Sequence, residues 1–518
     1  MFSKLISDYL QNEHFISRFA AHQPTIDGVK AAIASRKQFG TDRKLIQSAF
    51  EESYAGAAPS AKQTSNIVLL ASENTFTICT AHQPNIFTGY LYFIYKTAHT
   101  IALSRKLKSE LPQFDFVPVF YIGSEDNDLD ELSKFRINGK SFRWETDQTG
   151  AVGRMQVDKG IAALISEIEA ELGHLPEAPA LIALLKKSYA TGRDMAEGIF
   201  VMLNNLFSEE GLLVLQPDRA SLKAHYRKVM QDDLLDQVAE RIVGATGERL
   251  ETQYKLQVNP RSVNLFYLRD GIRNRIDKRG NQYAVDGTVI RFTEAEILAE
   301  LASNPERFSP NVILRGLYQE TILPNIIFVG GGSEVAYWMQ LKDLFTHYQV
   351  PFPVLVLRNS FTIMDANHAH KMHELQITDA DLFKEEITLS NELVQRWASA
   401  SLTLDTEEKE SKLLFARLKK RAGDVDKTLV QHVHALETFH LKKMESLEKK
   451  MLKAERKKQT IELQRIWKLK SELFPNGNLQ ERVENFMPYY AQYGQAFIQT
   501  ILQHSLALEQ QFGLIIIS

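Results

Sequence analysis

Three stretches of this 518-residue chain set groups that can do chemistry directly after apolar runs. Residues 76–96 read FTICTAHQPNIFTGYLYFIYK. A short strand over 76–80, a tight loop over 81–89 and an aromatic-rich helix are expected, with His82 and Gln83 at the strand's carboxyl end. A loop that opens a helix offers unpaired backbone N–H groups at the positive end of the helix dipole, where α/β proteins hold phosphates and other anions. Asn85, Thr88 and Gly89 share that loop, and Gly89 permits close backbone approach. Residues 117–123 (VPVFYIG) lead straight into five carboxylates in eight residues, among them Glu125, Asp126 and Asp128. Such a run is either a solvated lead into a helix or a loop that binds an amine, a metal-bound phosphate or sugar hydroxyls. In the second case these three carboxylates are the candidates for general base or amine holder. The third stretch, residues 325–341 (NIIFVGGGSEVAYWMQL), brings Gly330, Gly331 and Gly332 after an apolar run. Ser333 is the expected N-cap, Glu334 lies in the first turn and Tyr337 one turn on. A fourth run, 353–357, ends in Arg358, Asn359 and Ser360.

The elements that must position these groups follow from the pattern. The runs show no alternation, which suits parallel strands buried on both faces. In an open parallel sheet the carboxyl ends converge on one crevice at a switch point. The expected fold class is α/β: an open parallel-sheet core with connecting insertions and an α-helical antiparallel coiled-coil arm.

The chain resembles the bacillithiol biosynthesis cysteine-adding enzymes, also called cysteine ligases. The resemblance is carried by TAHQPNIFTGYLYFIYK (80–96), PVFYIGSEDNDLDEL (118–132), VGGGSEVAY (329–337) and LFPNGNLQERVENFMPYY (473–490). It covers most of the chain, with Ala81, Asn127 and Gly332 standing where relatives often have Gly, His and Pro. It implies a Rossmann core related to class I aminoacyl-tRNA synthetases and nucleotidylyltransferases. It implies a ligase that adds L-cysteine to glucosaminyl-malate through an amide bond, the last step to bacillithiol, with ATP or another nucleotide as co-substrate. GGGSE (330–334) is similar to the loop of cysteine-activating synthetases whose acid holds the adenosine end of the adenylate. The H-x-G-H motif is degenerate here, and Lys371-Met372 shares only two letters with K-M-S-K-S. How the cysteine carboxyl is activated is therefore open. The implied site takes His82, Gln83, Glu125, Asp126 and Asp128 as catalytic candidates. Asn85, Thr88, Gly89, Gly330 to Glu334, Tyr337, Arg358 and Asn359 are the substrate and nucleotide candidates.

A net charge of −3 gives no argument for nucleic acid as a partner. The single cysteine, Cys79, excludes an internal disulfide, fits a reducing cytoplasm and reads as a core residue. No metal-ligand set, leader or membrane-spanning run is apparent, so the expectations are no metal, no membrane and a cytoplasmic protein.

Residues 1–140 read as the first half of the core, 141–310 as core strands with insertions and 311–380 as the second half. Within the insertions a hairpin and turn near 142–150, helices over 161–172 and 180–207, a strand over 212–215 and a hairpin through Asp286-Gly287 are expected. Residues 381–475 read as two antiparallel helices meeting near Gly423. Leu429, Val433, Leu436, Met444, Leu447 and Met451 form an a/d seam between charged faces. That seam predicts a homodimer through the arm. Residues 476–518 are expected to be amphipathic helix returning to the core. Against the ligase stands a second class: a nucleotide-binding coiled-coil interaction or regulatory protein without turnover of its own.

Overall fold

A computed structural model describes residues 3–398 and 401–517. It divides into two compact units. Unit 1 holds Met1–Thr362 and Gln480–Gly513; unit 2 holds Ile363–Leu479 and Leu514–Ser518.

Unit 1 is built on a five-stranded sheet: β1 (Thr75–His82), β2 (Asp115–Ile122), β3 (Leu213–Leu215), β4 (Asn325–Gly330) and β5 (Val354–Leu357). Their order is β5-β4-β1-β2-β3, and every neighbouring pair is parallel. β1 and β2 run in register from Thr75 opposite Asp115 to His82 opposite Ile122. The chain builds outward through β2 and β3, then returns to the other side of β1 for β4 and β5. The switch point therefore lies between the carboxyl ends of β1 and β4. The continuous apolar runs are explained by burial on both faces: Phe76, Ile78, Ile327, Val329, Val354 and Val356 share one core with Leu103 and Leu107. The latter two lie on α1 (Tyr92–Glu110), the helix that follows β1. Cys79 is fully buried in β1, as expected of a core thiol.

The insertions differ in detail from their sequence reading. The early hairpin pairs Lys134–Ile137 with Lys140–Arg143 and turns at Asn138-Gly139, ahead of the expected place. The helix expected over 180–207 is two, Ala178–Ser188 and Met195–Phe207, separated by a bend with Gly192 at φ +81°. An antiparallel sheet orders Phe308–Pro310, Leu265–Arg269, Ile272–Arg279, Gln282–Val285 and Arg291–Thr293, the last pair joined through Asp286-Gly287 as read. Three further helices of unit 1 matter below: α2 (Ala220–His225), α3 (Val312–Ile322) and α4 (Gly332–Gln340). The apolar end of the chain, read as helix, is extended at Phe512–Ile517, where β-branched isoleucines favour strand.

Unit 2 carries α5 (Asp405–Val425) and α6 (Leu429–Lys458), an antiparallel helical hairpin. Cross-contacts fix the direction: Leu404 N–H donates to Glu448, Ser411 meets His440, and Lys419 pairs with Glu437. A break at Gln459 separates α6 from α7 (Thr460–Leu473), where one helix was expected. Leu389, Leu393, Leu463, Ile466 and Leu469 form this unit's own core. The charged arm face includes the Glu445–Lys449 pair at 2.5 Å, as i,i+4 spacing predicts.

Candidate active site

The carboxyl ends of all five strands open into one cleft of about 580 Å³ within unit 1. β1 contributes Ala81, His82 and, just beyond, Gln83; after β2 come Gly123 to Asp126; after β3, Pro217; after β4, Gly331 to Glu334; after β5, Arg358. Two loops are tied across the cleft floor: Gln83 Nε2 donates to Asp126 Oδ2 at 2.8 Å, and the Gly123 N–H donates to the His82 carbonyl at 2.7 Å. Asp126 Oδ1 also accepts the Asp128 N–H at 3.0 Å, so both carboxylate oxygens are held.

Glu125 sits on a buried network. Lys223, on α2, donates to Glu125 Oε1, to Asp218 Oδ1 at 2.8 Å and to the Glu306 carbonyl at 3.2 Å. Arg154 grips Asp218 with two bonds of 2.7 and 2.9 Å. Burial pushes the Glu125 carboxyl up, and Lys223 opposes that. Burial also disfavours the charges of Asp218 and Lys223, but their partners win. Asp218 is brought down to about 2 by Lys223 and Arg154, and Lys223 is raised by its two carboxylates.

His82 is wedged edge-on between Tyr92 and Phe93, and its Nε2 is buried without a partner among the described residues. Burial, with the Lys96 and Arg358 charges beside it, holds the ring well below the usual histidine range.

The glycine turn departs from expectation. Gly331, not Ser333, is the N-cap of α4, and the Glu334 carboxylate folds back to accept its N–H at 2.7 Å. Buried Lys96 donates to the same Glu334 oxygen at 2.7 Å and to the Ala81 carbonyl at 2.6 Å. The positive end of α4 is thus filled by the chain's own carboxylate. Gly330 faces away from the cleft: a Cβ there would lie 2.8 Å from the Phe328 ring, so packing requires this glycine.

The loop after β1 also departs. Asn85, Thr88 and Gly89 are buried and lie outside the cleft lining. The N–H groups of Asn85, Phe87, Gly89 and Leu91 are spent on Gln83, the Tyr189 hydroxyl, Ile86 and Glu484. Three successive residues, Phe87, Thr88 and Gly89, have φ of +47°, +66° and +66°. For the two non-glycines this strain costs about 1–3 kcal/mol each and persists only where the surroundings hold it. Asp128 is exposed and caps the short helix Leu129–Leu132, the solvated alternative for that residue. Asn359 is buried behind the lining, its N–H donating to His99 Nδ1 at 3.1 Å. Tyr337 lines the cleft and accepts from Arg315 at 2.9 Å.

An N-terminal Rossmann-like domain of "Bacillithiol biosynthesis BshC" matches residues 1–359, and the C-terminal coiled-coil domain of the same family matches 361–517. The chain belongs to the BshC family of bacillithiol biosynthesis. A protein of Flavobacterium johnsoniae named "Putative cysteine ligase BshC" is 37% identical over 100% of this chain and 98% of its own length. One of the same name from Flavobacterium psychrophilum is 37% identical over 99% of this chain and 97% of its own. The ligase class expected from the sequence stands with the BshC family. A Campylobacter jejuni crystal structure described as a "putative arginyl t-RNA synthetase" aligns with 88% of the chain and 100% of its own at 10% identity. Its TM-score is 0.23.

Several residues lining this BshC-family cleft were not among the expected site residues, although Arg482 lies in the 473–490 motif. Arg315 reaches it from α3, stacking over Tyr121 at 5.4 Å. Arg273 comes from the antiparallel sheet, bonded to Asn127 Oδ1 at 2.9 Å, and Arg482 from the returning segment. Lone arginines on helices and strands look like surface residues until the fold is known. Among the described residues no cluster of metal ligands forms, and no helix is long and apolar enough to cross a membrane.

Proposed function

We propose that the chain joins the carboxyl of L-cysteine to the amine of glucosaminyl-malate, forming the amide of bacillithiol in the cytoplasm. The observation that supports this best is the charge pattern of the cleft. Glu125, Asp126 and Glu131 cluster after β2, on one side of β1, whereas Arg358 follows β5 on the other side and Arg482 joins the lining. Arg273 stands beside Asp126 on the first side and Glu334 beside Lys96 on the other, so the cleft can hold an amine among the carboxylates and anionic groups at the arginines of both sides, as an amino-sugar carrying carboxylates requires. Asp126, fixed through both oxygens, holds the amine. Glu125, its carboxyl raised by burial, takes the amine's proton as nitrogen attacks the activated cysteine carbonyl, the C–N bond forming as the C–O bond to the activating group breaks and that group leaves with the nucleotide's products. A nucleotide, when bound, activates that carboxyl. The glycine turn with Glu334 fits its hydroxyl-bearing ribose end. The 85–91 loop does not fit its phosphates, because the N–H groups named above are spent internally.

The test is direct. Purified protein with ATP, L-cysteine and glucosaminyl-malate should yield bacillithiol, read by thiol labelling and mass spectrometry. Glu125→Gln should cut turnover by roughly 10²-fold or more while the protein stays folded. Nucleotide-induced thermal shift without product on any amino-sugar acceptor would favour the binding-only alternative.

We further propose a second copy of the chain as the arm's partner. Neither α5 nor α6 has a buried residue, and Leu413, Phe439 and Leu447 are 66, 62 and 49% exposed. Exposed apolar side chains on both helices of the arm offer area that a second arm would cover. Leu447→Glu with Met451→Lys should halve the mass measured by light scattering. A monomeric parent protein sinks the proposal.

A further inference from the structure

The motif at 473–490 brings Arg482 into the cleft lining, with buried residues on either side of it. Residues 480–485 are the first of the chain after its return from unit 2. Glu481 is completely buried. Its Oε1 accepts from Arg358 Nη2 at 2.7 Å and from Ser360 Oγ at 2.9 Å, and its Oε2 accepts the Phe361 N–H at 3.2 Å. Arg358 Nη1 donates to the Asn359 carbonyl at 2.9 Å, and the guanidinium stacks 4.9 Å from the Tyr92 ring centroid. Both terminal nitrogens of Arg358 are thus held by protein. Its Nε edge lies beside the glycine turn, 3.8 Å from where a Cβ on Gly331 would stand.

The next residues continue the pattern. Arg482 is exposed and lines the cleft. The Glu484 carbonyl accepts the Leu91 N–H at 2.8 Å, at the start of α1. Asn485 Nδ2 donates to the Phe87 carbonyl at 3.0 Å and also to the Gly89 carbonyl, bracketing the strained loop. The Asn485 N–H donates to the Arg136 carbonyl at 3.2 Å, and Asn485 Oδ1 accepts the Met487 N–H at 2.8 Å. Glu481, Glu484 and Asn485 therefore hold the segments that follow β5 and β1, and Arg482 among them supplies a cation.

We infer that residues 480–485 are a strap that builds an oxyanion-binding wall in the cleft, with Glu481 as the positioning residue that aims Arg358 and Arg482 as its partner at the mouth. This deepens the proposed function and rests on its reading that the cleft's arginines take an anionic group of a substrate. A guanidinium binds carboxylate or phosphate well only when its donors are held in the plane of the ligand, and a buried carboxylate behind it does that. The oxyanion is either a carboxylate of the acceptor or a phosphate of the nucleotide.

Titration calorimetry on the full chain, with L-malate and separately with pyrophosphate, tests the inference. The parent protein should bind at least one of them; malate alone points to the acceptor and pyrophosphate alone to the nucleotide. Arg358→Met and Glu481→Gln should each weaken that binding at least tenfold. The double variant should be no weaker than Arg358→Met alone, because Glu481 acts through Arg358. If Glu481→Gln keeps parental affinity at a temperature where circular dichroism shows it folded, the positioning role is overturned and the cleft reading stands. If the parent binds neither anion, the wall and that reading fall together. Should Glu481→Gln not fold, Glu481→Asp keeps the charge and withdraws the carboxylate by one methylene. It too should lose affinity, and unchanged affinity overturns the role.

Discussion

Lys223→Met is expected to cost on the order of 3–5 kcal/mol of stability at neutral pH and to silence the ligase. Lys223 is 1% exposed and gives its three bonds to Glu125, Asp218 and the Glu306 carbonyl. Removing the ammonium leaves two carboxylates in a low dielectric with Arg154 as the cation gripping Asp218. Asp218 keeps that bidentate partner, so the penalty falls on Glu125. Its carboxyl, already raised by burial, rises further and takes up a proton. The sign follows. A carboxyl whose folded value is raised binds a proton in the native state before it does in the unfolded one, so its stability contribution falls as pH rises above the ordinary carboxylate value. The deficit of Lys223→Met should therefore be small near pH 5 and grow towards pH 8. Urea melts at the two pH values measure it, and Glu125→Gln in the same chain should recover most of the loss. An equal deficit at both pH values would show that Glu125 is not the group left stranded.

Acidification gives the second large effect. His99 is buried in α1, with Nε2 against the Ala507 carbonyl at 2.7 Å and Nδ1 accepting the Asn359 N–H. Burial lowers it from 6.5 to about 4. Between those values the unfolded chain binds a proton that the folded one refuses, so stability is full above about pH 6.5 and is lost progressively towards pH 4. The size is about 3 kcal/mol from this residue, at about 1.4 kcal/mol per unit. His82 adds to the same slope, being held well below the usual range. His99→Gln should flatten the stability curve between pH 6.5 and 4, at some cost at pH 7. Identical slopes for the two proteins would place the acid sensitivity elsewhere.

The strands were legible because parallel strands covered on both faces leave unbroken apolar runs, and the polar residues after them marked the cleft. His82, Gln83, Glu125, Asp126, Gly331 to Glu334, Tyr337 and Arg358 all line it. What could not be read was set by distance along the chain. The loop after β1 resembled an anion cradle until Tyr189, Glu484 and Asn485 were seen to hold it. The first lies 102 residues beyond Phe87 and the last 398. Lys223 and Glu125 are 98 residues apart. The misplaced N-cap is of another kind: Ser333 has the right side chain, but the reciprocal bond of Glu334 to the Gly331 N–H sets the helix start two residues earlier. Asp128 went to the solvated reading because acids at a helix start are stable without any ligand.

The strap has a consequence for how the enzyme is made. Arg358 and Glu481 are 123 residues apart, and the whole coiled-coil arm is encoded between them. At roughly 5–20 residues per second a ribosome needs on the order of ten seconds to cross that interval. Through that time the nascent protein has every strand of its sheet and no finished site. A message truncated within the arm therefore lacks both the strap and Ala507, which packs into the core of the sheet.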